Sequence, residues 1–260
     1  MSDSPNPVVA AWSIVSALAR VARPNPHGTA TIEHEALAGS LTRLAENGPA
    51  VLTSLSGELA EYLSSVRAVD PDALTREEAL ALWINIYNAG ALVRAADAQQ
   101  QGATSVLLVP GAFRKPVVRI GAEDLSLDDI EHGKLRRFRD PRIHAALVCG
   151  SVSCPTLRGE PYSGVAIARQ LDDQMRHFLA SGGLIHDEER NVVMLSRVFM
   201  WFGADFVRPK RMPTILPTRR GAVLSALSGW IEPSIQESIA TMAPEVGFQS
   251  YDWSLSCSVR

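Results

Sequence analysis

The sequence predicts an α+β protein in which many helices pack on a small, mainly antiparallel sheet. Helical periodicity dominates the front and the back of the chain, and short apolar strand candidates lie between these regions. The composition is that of a globular protein, with 46% hydrophobic and 20% charged residues in 260. We expect an N-terminal helical extension over residues 1–70 and one core domain over residues 71–260.

The front of the chain carries three helical patterns. Residues 8–22 show an amphipathic period and are followed by a turn rich in proline at 23–28. Two further helical patterns cover residues 33–47 and 49–67. These segments make up the predicted extension.

A long helix is predicted to begin directly after Thr75. Threonine followed three residues later by Glu78 is the sequence pattern of a capping box. The helix carries two amides, Asn85 and Asn88, on a largely apolar stretch, where a buried amide needs hydrogen-bond partners. Each amide is interpreted either as holding a loop or as orienting a group in a functional site.

Strands and helices alternate along the rest of the chain. The strand candidates are residues 106–120, 142–149 and 191–195. The helix candidates are residues 127–137 with Ser126 as the cap, 163–180, 197–206 and 221–231. An extended tail is expected over residues 247–256.

Charge and composition exclude several classes of partner. A net charge of -3 gives no global field for a polyanion, so we expect no nucleic acid partner. A local basic run at 134–142 is interpreted either as cations at a helix C-terminus or as an anion-binding site that includes Arg136. The apolar run at 8–19 is too short for a transmembrane segment, and three cysteines do not form a disulfide framework. We expect a cytoplasmic protein with a small molecule or a peptide as its partner, and we assign it no oligomeric state.

Four blocks in a fixed order carry a family resemblance. They are WINIYNA at 83–89, LSLDDIEHG at 125–133, DPRIHAALVCGSVSCP at 140–155 and LSRVFMWF at 195–202. Together with the tail YDWSL at 251–255, they make the chain resemble bacterial members of the domain of unknown function 547 family. The resemblance brings no assigned reaction, so any chemistry must be argued from the residues.

The most reactive candidate is Cys149, at the end of an apolar segment and before a turn of glycine and serine. A cysteine nucleophile needs a base or another source of thiolate stabilisation. His132, on a capped helix joined to this segment by a short turn, is the predicted base. Asn85 would be the orienting amide, and the backbone of Gly150 and Ser151 would face a developing oxyanion.

This set would form a papain-like Cys-His-Asn site, with the histidine before the cysteine in the chain. His144 is excluded as the base, because in a straight strand it would lie about 16 Å from Cys149 and on the opposite face. Zinc bound by Cys149, Cys154 and the two histidines is disfavoured by their spacing. A redox-active disulfide between Cys149 and Cys154 remains an alternative.

Two function classes therefore stay open. The first is a cysteine-dependent hydrolase or acyltransferase. The second is a non-catalytic binding or scaffold module, in which Cys149, His132, Asn85, Asn88 and Arg136 are buried structural groups. The chain has no Walker loop, Rossmann glycine pattern, HExxH or GxSxG, so no cofactor and no metal are expected.

Overall fold

The computed structural model describes residues 7–260 and confirms the α+β class. Its α-helices are α1 Pro7–Arg20, α2 Glu35–Asn47, α3 Leu52–Ser65, α4 Arg76–Gln100, α5 Ile143–Ala146, α6 Ile167–Phe178, α7 Arg197–Val207, α8 Arg220–Leu227 and α9 Pro233–Met242. Its strands are β1 Val118–Ile120, β2 Glu123–Leu125, β3 Leu184–Asp187, β4 Val192–Leu195 and β5 Glu245–Phe248.

The five strands form two small sheets rather than one. β1 and β2 make an antiparallel hairpin with Val118 opposite Leu125. In the other sheet β4 is central, with β3 antiparallel on one side and β5 parallel on the other. The strand pairing within the described residues is therefore mainly antiparallel, as predicted.

Helix α4 is the centre of the larger hydrophobic core. It begins as predicted, because the Thr75 side chain accepts a hydrogen bond from the Glu78 N–H at 3.2 Å. Helix α3 packs its leucines against α4, helix α2 packs against α3, and the aromatic pair Trp83 and Tyr87 is buried in this core. Of the helices in residues 7–260, none has the length and apolar character needed to cross a bilayer.

A second hydrophobic core lies between α6, α7, α8 and the three-stranded sheet. Phe178, Phe199 and Phe206 form its aromatic centre, with ring centroids 5.4 and 5.5 Å apart. Cys149 packs at the edge of this core, whereas Cys154 packs at the edge of the larger core. The two cysteines therefore lie at the junction of the two cores.

The first helix packs against the segment that follows β2. Arg20 forms an ion pair with the buried Asp129 at 2.5 Å, and Arg137 donates to the Val21 carbonyl oxygen at 3.0 Å. Gly133 is required there, because a Cβ at this position would lie 2.7 Å from the Cβ of Val21. Helix α1 and the following Val21 are thus in direct contact with residues 129–137.

Three predicted elements have a different structure. Within the strand candidate at 106–120, Val106–Leu108 form a 3-10 helix and only Val118–Ile120 are in a strand. The predicted strand at 142–149 is wrong, because residues 143–146 form the one-turn helix α5 and residues 147–149 are irregular. The predicted helix at 127–137 is capped by Ser126, but it widens into a π-helical segment, Asp129–Lys134, and then tightens into a 3-10 helix, Leu135–Phe138. The sequence analysis did not predict β3 or α9 as separate elements.

Replacing the cap of α4 should lower stability. Thr75→Ala removes the acceptor for the Glu78 N–H and should reduce the free energy of unfolding by about 1 kcal/mol, measured by denaturant unfolding. Thr75→Ser keeps the hydroxyl and is the matched control, with a loss of about a few tenths of a kcal/mol. Equal stabilities for the two variants would contradict the assignment of the cap.

Candidate functional site

The Cys149 sulfur is the centre of a compact group of hydrogen-bonding side chains. It lies 3.0 Å from Ser151 Oγ, 3.1 Å from Cys154 Sγ and 3.3 Å from Tyr251 Oη. Ser151 Oγ also lies 2.9 Å from Tyr251 Oη. The Cys149 residue as a whole is half-buried, and its sulfur lies in a dense polar environment.

These contacts shift the pKa values of the two cysteines in opposite directions. The hydrogen bond with Cys154 outweighs burial and, together with the Ser151 hydroxyl, the Tyr251 hydroxyl and the Ser151 N–H, lowers the pKa of Cys149 to about 6. Burial and the hydrogen bond to Cys149 raise the pKa of Cys154 well above its usual value. At neutral pH Cys149 is therefore a thiolate that accepts a hydrogen bond from the Cys154 thiol.

Helix α4 fixes the backbone that leads into Cys149. The Asn88 amide donates to the Ala146 carbonyl oxygen at 3.0 Å and accepts from the Val148 N–H at 3.1 Å. Gly150 follows with a φ of 78°, a conformation that favours glycine. The sharp turn at Gly150 directs Ser151 back towards the sulfur.

The C-terminal tail covers the other side of this loop. Val152 N–H donates to the Ser254 carbonyl oxygen at 2.9 Å, and Ser256 N–H donates to the Gly150 carbonyl oxygen at 3.0 Å. The Tyr251 ring packs against Trp201 at a centroid distance of 4.9 Å. The tail thus supplies a hydroxyl to the sulfur and an aromatic wall beside it.

A protonated carboxyl group lies near the thiolate. Burial raises the pKa of Glu131 to about 8, and the negative charge of Cys149 contributes to this rise. Tyr87 donates to Glu131 Oε2 at 3.3 Å, and burial followed by the charge of Glu131 raises the pKa of Tyr87. At neutral pH the site therefore pairs an ionised thiol with a carboxylic acid.

Behind Glu131 lies a fully buried ion cluster. Asp205 is 0% exposed and accepts hydrogen bonds from Arg136 Nε at 2.8 Å and from His144 Nε2 at 2.9 Å. Burial alone would raise the pKa of Asp205, but the bonds from His144 and Arg136 outweigh it and lower the pKa to about 2. Arg136 also donates to the Thr214 carbonyl oxygen at 2.9 Å, so protein groups occupy its guanidinium.

Both histidines of this region are neutral at pH 7. Burial, followed by the charge of Arg136, holds the pKa of His132 well below its usual value. Burial also lowers the pKa of His144, against the opposing effect of Asp205. Their Nδ1 atoms lie 3.9 and 4.0 Å from Glu131 Oε1, and the His144 ring stacks on Phe202 at 4.0 Å.

The structure brings part of the predicted site together. Cys149 and Ser151 are adjacent, and Gly150 shapes the turn between them. Within the described residues, the hydrogen-bond partners of the Cys149 sulfur are thiol and hydroxyl groups, so pairing of Cys149 with His132 stays a prediction. Asn85 donates to the Tyr162 carbonyl oxygen at 2.8 Å and accepts from the Tyr162 N–H at 2.9 Å, so its amide holds a loop.

The reason given for excluding His144 does not hold in the structure. His144 lies on the one-turn helix α5 rather than on a strand, and its ring belongs to the cluster of Glu131 and Asp205. The π-helical segment has a second effect, because it brings Glu131 within 4 Å of the His132 ring. An ordinary α-helix would direct adjacent side chains about 100° apart.

Sequence analysis missed Glu131, Asp205 and the role of Tyr251. Asp205 had a detectable signal, because a single carboxylate in the apolar segment 197–207 must have cationic partners when it is buried. Glu131 and Tyr251 had none, because their contacts arise from the π-helical segment and from the packing of the tail. Across residues 7–260, no group of three His, Cys, Asp or Glu side chains is arranged to hold a metal ion.

Residues 71–179 match the family model described as Protein of unknown function, DUF547. This part of the chain is therefore similar to the DUF547 family. This DUF547 segment includes three of the four sequence blocks that predicted the family, together with Glu131, His144, Cys149 and Cys154. Asp205 and Tyr251 lie outside the DUF547 match, so the site is completed by residues beyond it.

No other relative of this chain was found. Neither the curated proteins nor the solved structures contain a match to this chain. The DUF547 family description names no reaction. The bacterial origin and the papain-like arrangement therefore stay predictions, and the function must be argued from the geometry.

Breaking the buried ion cluster should destabilise the protein strongly. Arg136→Met leaves the Asp205 carboxylate buried with only His144 and the Thr214 N–H as donors and should lower the free energy of unfolding by about 3 to 5 kcal/mol. The matched control is Arg43→Met, which removes the exposed ion pair with Glu58 and should cost at most about 1 kcal/mol. Denaturant unfolding measures both changes, and equal losses would contradict a structural role for the buried cluster.

Proposed function

We propose that this chain is a cysteine-dependent enzyme of hydrolysis or acyl transfer, with Cys149 as its nucleophile. The observation that carries the proposal is the convergence of Cys154, Ser151 and Tyr251 on the sulfur of one half-buried cysteine. A structural cysteine needs no such set of donors, whereas a nucleophile needs a stabilised thiolate. The source of that stabilisation is hydrogen bonding, in place of a protonated histidine.

The second component of the proposed site is an acid. The pKa of Glu131 is about 8, so Glu131 is still protonated at neutral pH, whereas the pKa of Cys149 is about 6, so Cys149 is ionised. Two neighbouring groups whose environments separate their pKa values in this way are suited to the roles of nucleophile and general acid. His132 and His144, next to Glu131, are the groups proposed to exchange protons with it.

The proposed reaction has two balanced steps. The Cys149 thiolate attacks the carbonyl carbon of an ester, thioester or amide, and the leaving group departs with the proton of Glu131. Water then attacks the thioester carbon, the thiolate leaves, and the released proton returns to Glu131. The N–H groups of Gly150 and Ser151 are the proposed donors to the oxyanion in both steps. Asn88 and Asn85 are positioning residues, through the backbone segments that they hold.

The N-terminal extension over residues 1–70 is proposed to support this site. Helix α1 contacts residues 129–137, the segment that carries Glu131 and His132, through Arg20 and Val21. We expect it to keep Glu131 in the environment that holds its proton.

The second candidate function is a non-catalytic binding or scaffold module for a small molecule or a peptide. It is favoured by the complete satisfaction of Asn85, Asn88, Arg136 and Asp205 by protein groups. Under this alternative, Cys149 would show no acyl chemistry and its substitution would change stability alone.

An activated ester distinguishes the two candidates. With p-nitrophenyl acetate, the full chain should release a stoichiometric burst of p-nitrophenolate and carry one acetyl group on Cys149, detected by mass spectrometry. Cys149→Ser should abolish both signals, whereas Cys257→Ser should retain them. A wild-type chain without burst or acetylation, at any pH between the two pKa values, would reject the enzyme and leave the binding module.

With an alkyl acetate, whose alkoxide must be protonated as it leaves, the rate of acetylation should depend on pH as a bell. It should rise as Cys149 ionises, with an apparent pKa of about 6, and fall as Glu131 ionises, with an apparent pKa of about 8. Tyr251→Phe removes one hydrogen bond to the thiolate and should move the acid limb to higher pH. Glu131→Gln cannot ionise and should remove the alkaline limb.

Alkylation with iodoacetamide distinguishes the acid limb of the pH profile from its alkaline limb. The rate of iodoacetamide alkylation follows thiolate formation alone, so it should show the acid limb without the alkaline decline. An acid limb near the usual pKa of a free thiol, or an alkaline limb unchanged in Glu131→Gln, would contradict the assigned roles.

A further inference from the structure

Cys149 and Cys154 are held as a pair by a tight turn. Their sulfur atoms lie 3.1 Å apart, and the Cys149 N–H donates to Cys154 Sγ at 2.9 Å. Within the turn, Cys154 N–H donates to the Ser151 carbonyl oxygen at 3.1 Å. A disulfide has a sulfur separation of about 2.05 Å, so closing the pair requires a movement of about 1 Å.

The tail prevents this turn from opening. Ser153 N–H donates to the Asp252 carbonyl oxygen at 3.2 Å, and Asp252 N–H donates back to Ser153 Oγ at 2.9 Å. Val152 N–H donates to the Ser254 carbonyl oxygen. The residues between the two cysteines are thus held on the tail by backbone hydrogen bonds, which keep the two sulfur atoms close together.

We propose that Cys149 and Cys154 form a peroxide-sensitive dithiol, which closes reversibly to a disulfide. The oxidant is a hydroperoxide, either hydrogen peroxide or an organic hydroperoxide. Acyl transfer uses the Cys149 sulfur alone, whereas this reaction uses both sulfurs and a different substrate. It therefore goes beyond the proposed function and does not depend on it.

The oxidation proceeds in two balanced steps. The Cys149 thiolate attacks the terminal oxygen of the hydroperoxide, the O–O bond breaks, and the alkoxide or hydroxide leaves and takes a proton from solvent. Cys149 is then a sulfenic acid. The Cys154 sulfur attacks the Cys149 sulfur, the S–O bond breaks, and the hydroxide leaves as water with the Cys154 proton. Two thiols and one hydroperoxide give one disulfide, one alcohol or water, and one further water.

The third cysteine provides an internal control. Cys257 is buried, and burial followed by the charge of Cys149 raises its pKa to about 12. It lies near the same loop, because a Cβ built on Gly150 would be 3.9 Å from Cys257 Sγ. A nearby thiol that stays protonated should not react with peroxide, and it tests whether proximity alone explains any disulfide that forms.

The experiment treats the reduced full chain with hydrogen peroxide at neutral pH and maps its peptides under non-reducing conditions. The wild type and Cys257→Ser should each lose two hydrogen masses and two titratable thiols, with one crosslink between Cys149 and Cys154. Dithiothreitol should restore both thiols. Cys154→Ser and Cys154→Ala should stop at the Cys149 sulfenic acid, which dimedone traps, and should proceed to sulfinic acid with excess peroxide.

Two results of the peptide mapping would contradict the proposed disulfide. A crosslink from Cys149 to Cys257, or sulfinic acid in the wild type without any disulfide, would overturn it. Near-ultraviolet circular dichroism identifies a variant that has not folded, and the wild-type peptide map remains decisive in that case. The crosslink is measured without an acyl substrate and the ester burst without peroxide, so failure of either proposal can be recognised separately.

Discussion

The burial of the Asp205 carboxylate is the constraint on which the region around the site depends. A fully buried negative charge is costly unless cations and hydrogen-bond donors surround it. Here the donors come from distant parts of the chain: Arg136 after the π-helical segment, His144 on α5 and the Thr214 N–H. The need to satisfy one carboxylate thus fixes the relative positions of three segments and α7. Because α7 belongs to the second core and the Arg136 segment to the first, the same interaction joins the two cores.

The site itself is defined by two opposite electrostatic environments a short distance apart. Around Cys149, hydroxyl, thiol and backbone donors favour the anion and outweigh burial. Around Glu131, burial disfavours the anion, and the charge of Arg136 only partly opposes it, because that charge is already engaged by Asp205. The buried ion pair therefore contributes to the site indirectly, since it provides structure without providing a free cation.

The sequence was enough to predict the elements that depend on contacts within one turn of backbone. It was not enough to predict those that depend on contacts between distant parts of the chain. The α4 helix was predicted correctly because Thr75 and Glu78 act within one turn of backbone. The segment 142–149 was predicted as a strand because its apolar run matches a buried strand as well as a buried helix. Its actual form depends on His144 reaching Asp205, 61 residues away in the chain, and on Asn88 holding the backbone that follows α5.

The candidate site was predicted to the same extent. Cys149, Gly150 and Ser151 are adjacent in sequence, so a local turn was enough to identify them together. The lowered pKa of Cys149 owes most to Cys154, but the part contributed by Tyr251 comes from a contact that spans 102 residues, and the surroundings of Glu131 depend on a π-helical segment without a sequence signature. Motif spacing cannot report either effect, because both arise from packing.

The tail over the Cys149 loop has a consequence for biosynthesis. Protein chains are made from the N-terminus, so Cys149 leaves the ribosome well before Tyr251 and the backbone groups of residues 252–256 that cover its loop. Until the tail docks, the sulfur lacks the Tyr251 hydroxyl and the turn lacks its outer hydrogen bonds. A nascent or prematurely terminated chain would therefore carry a more ordinary, less acidic thiol. Docking of residues 251–256 thus acts as a maturation step, which delays the more acidic thiol until these residues have been translated and have packed on the loop.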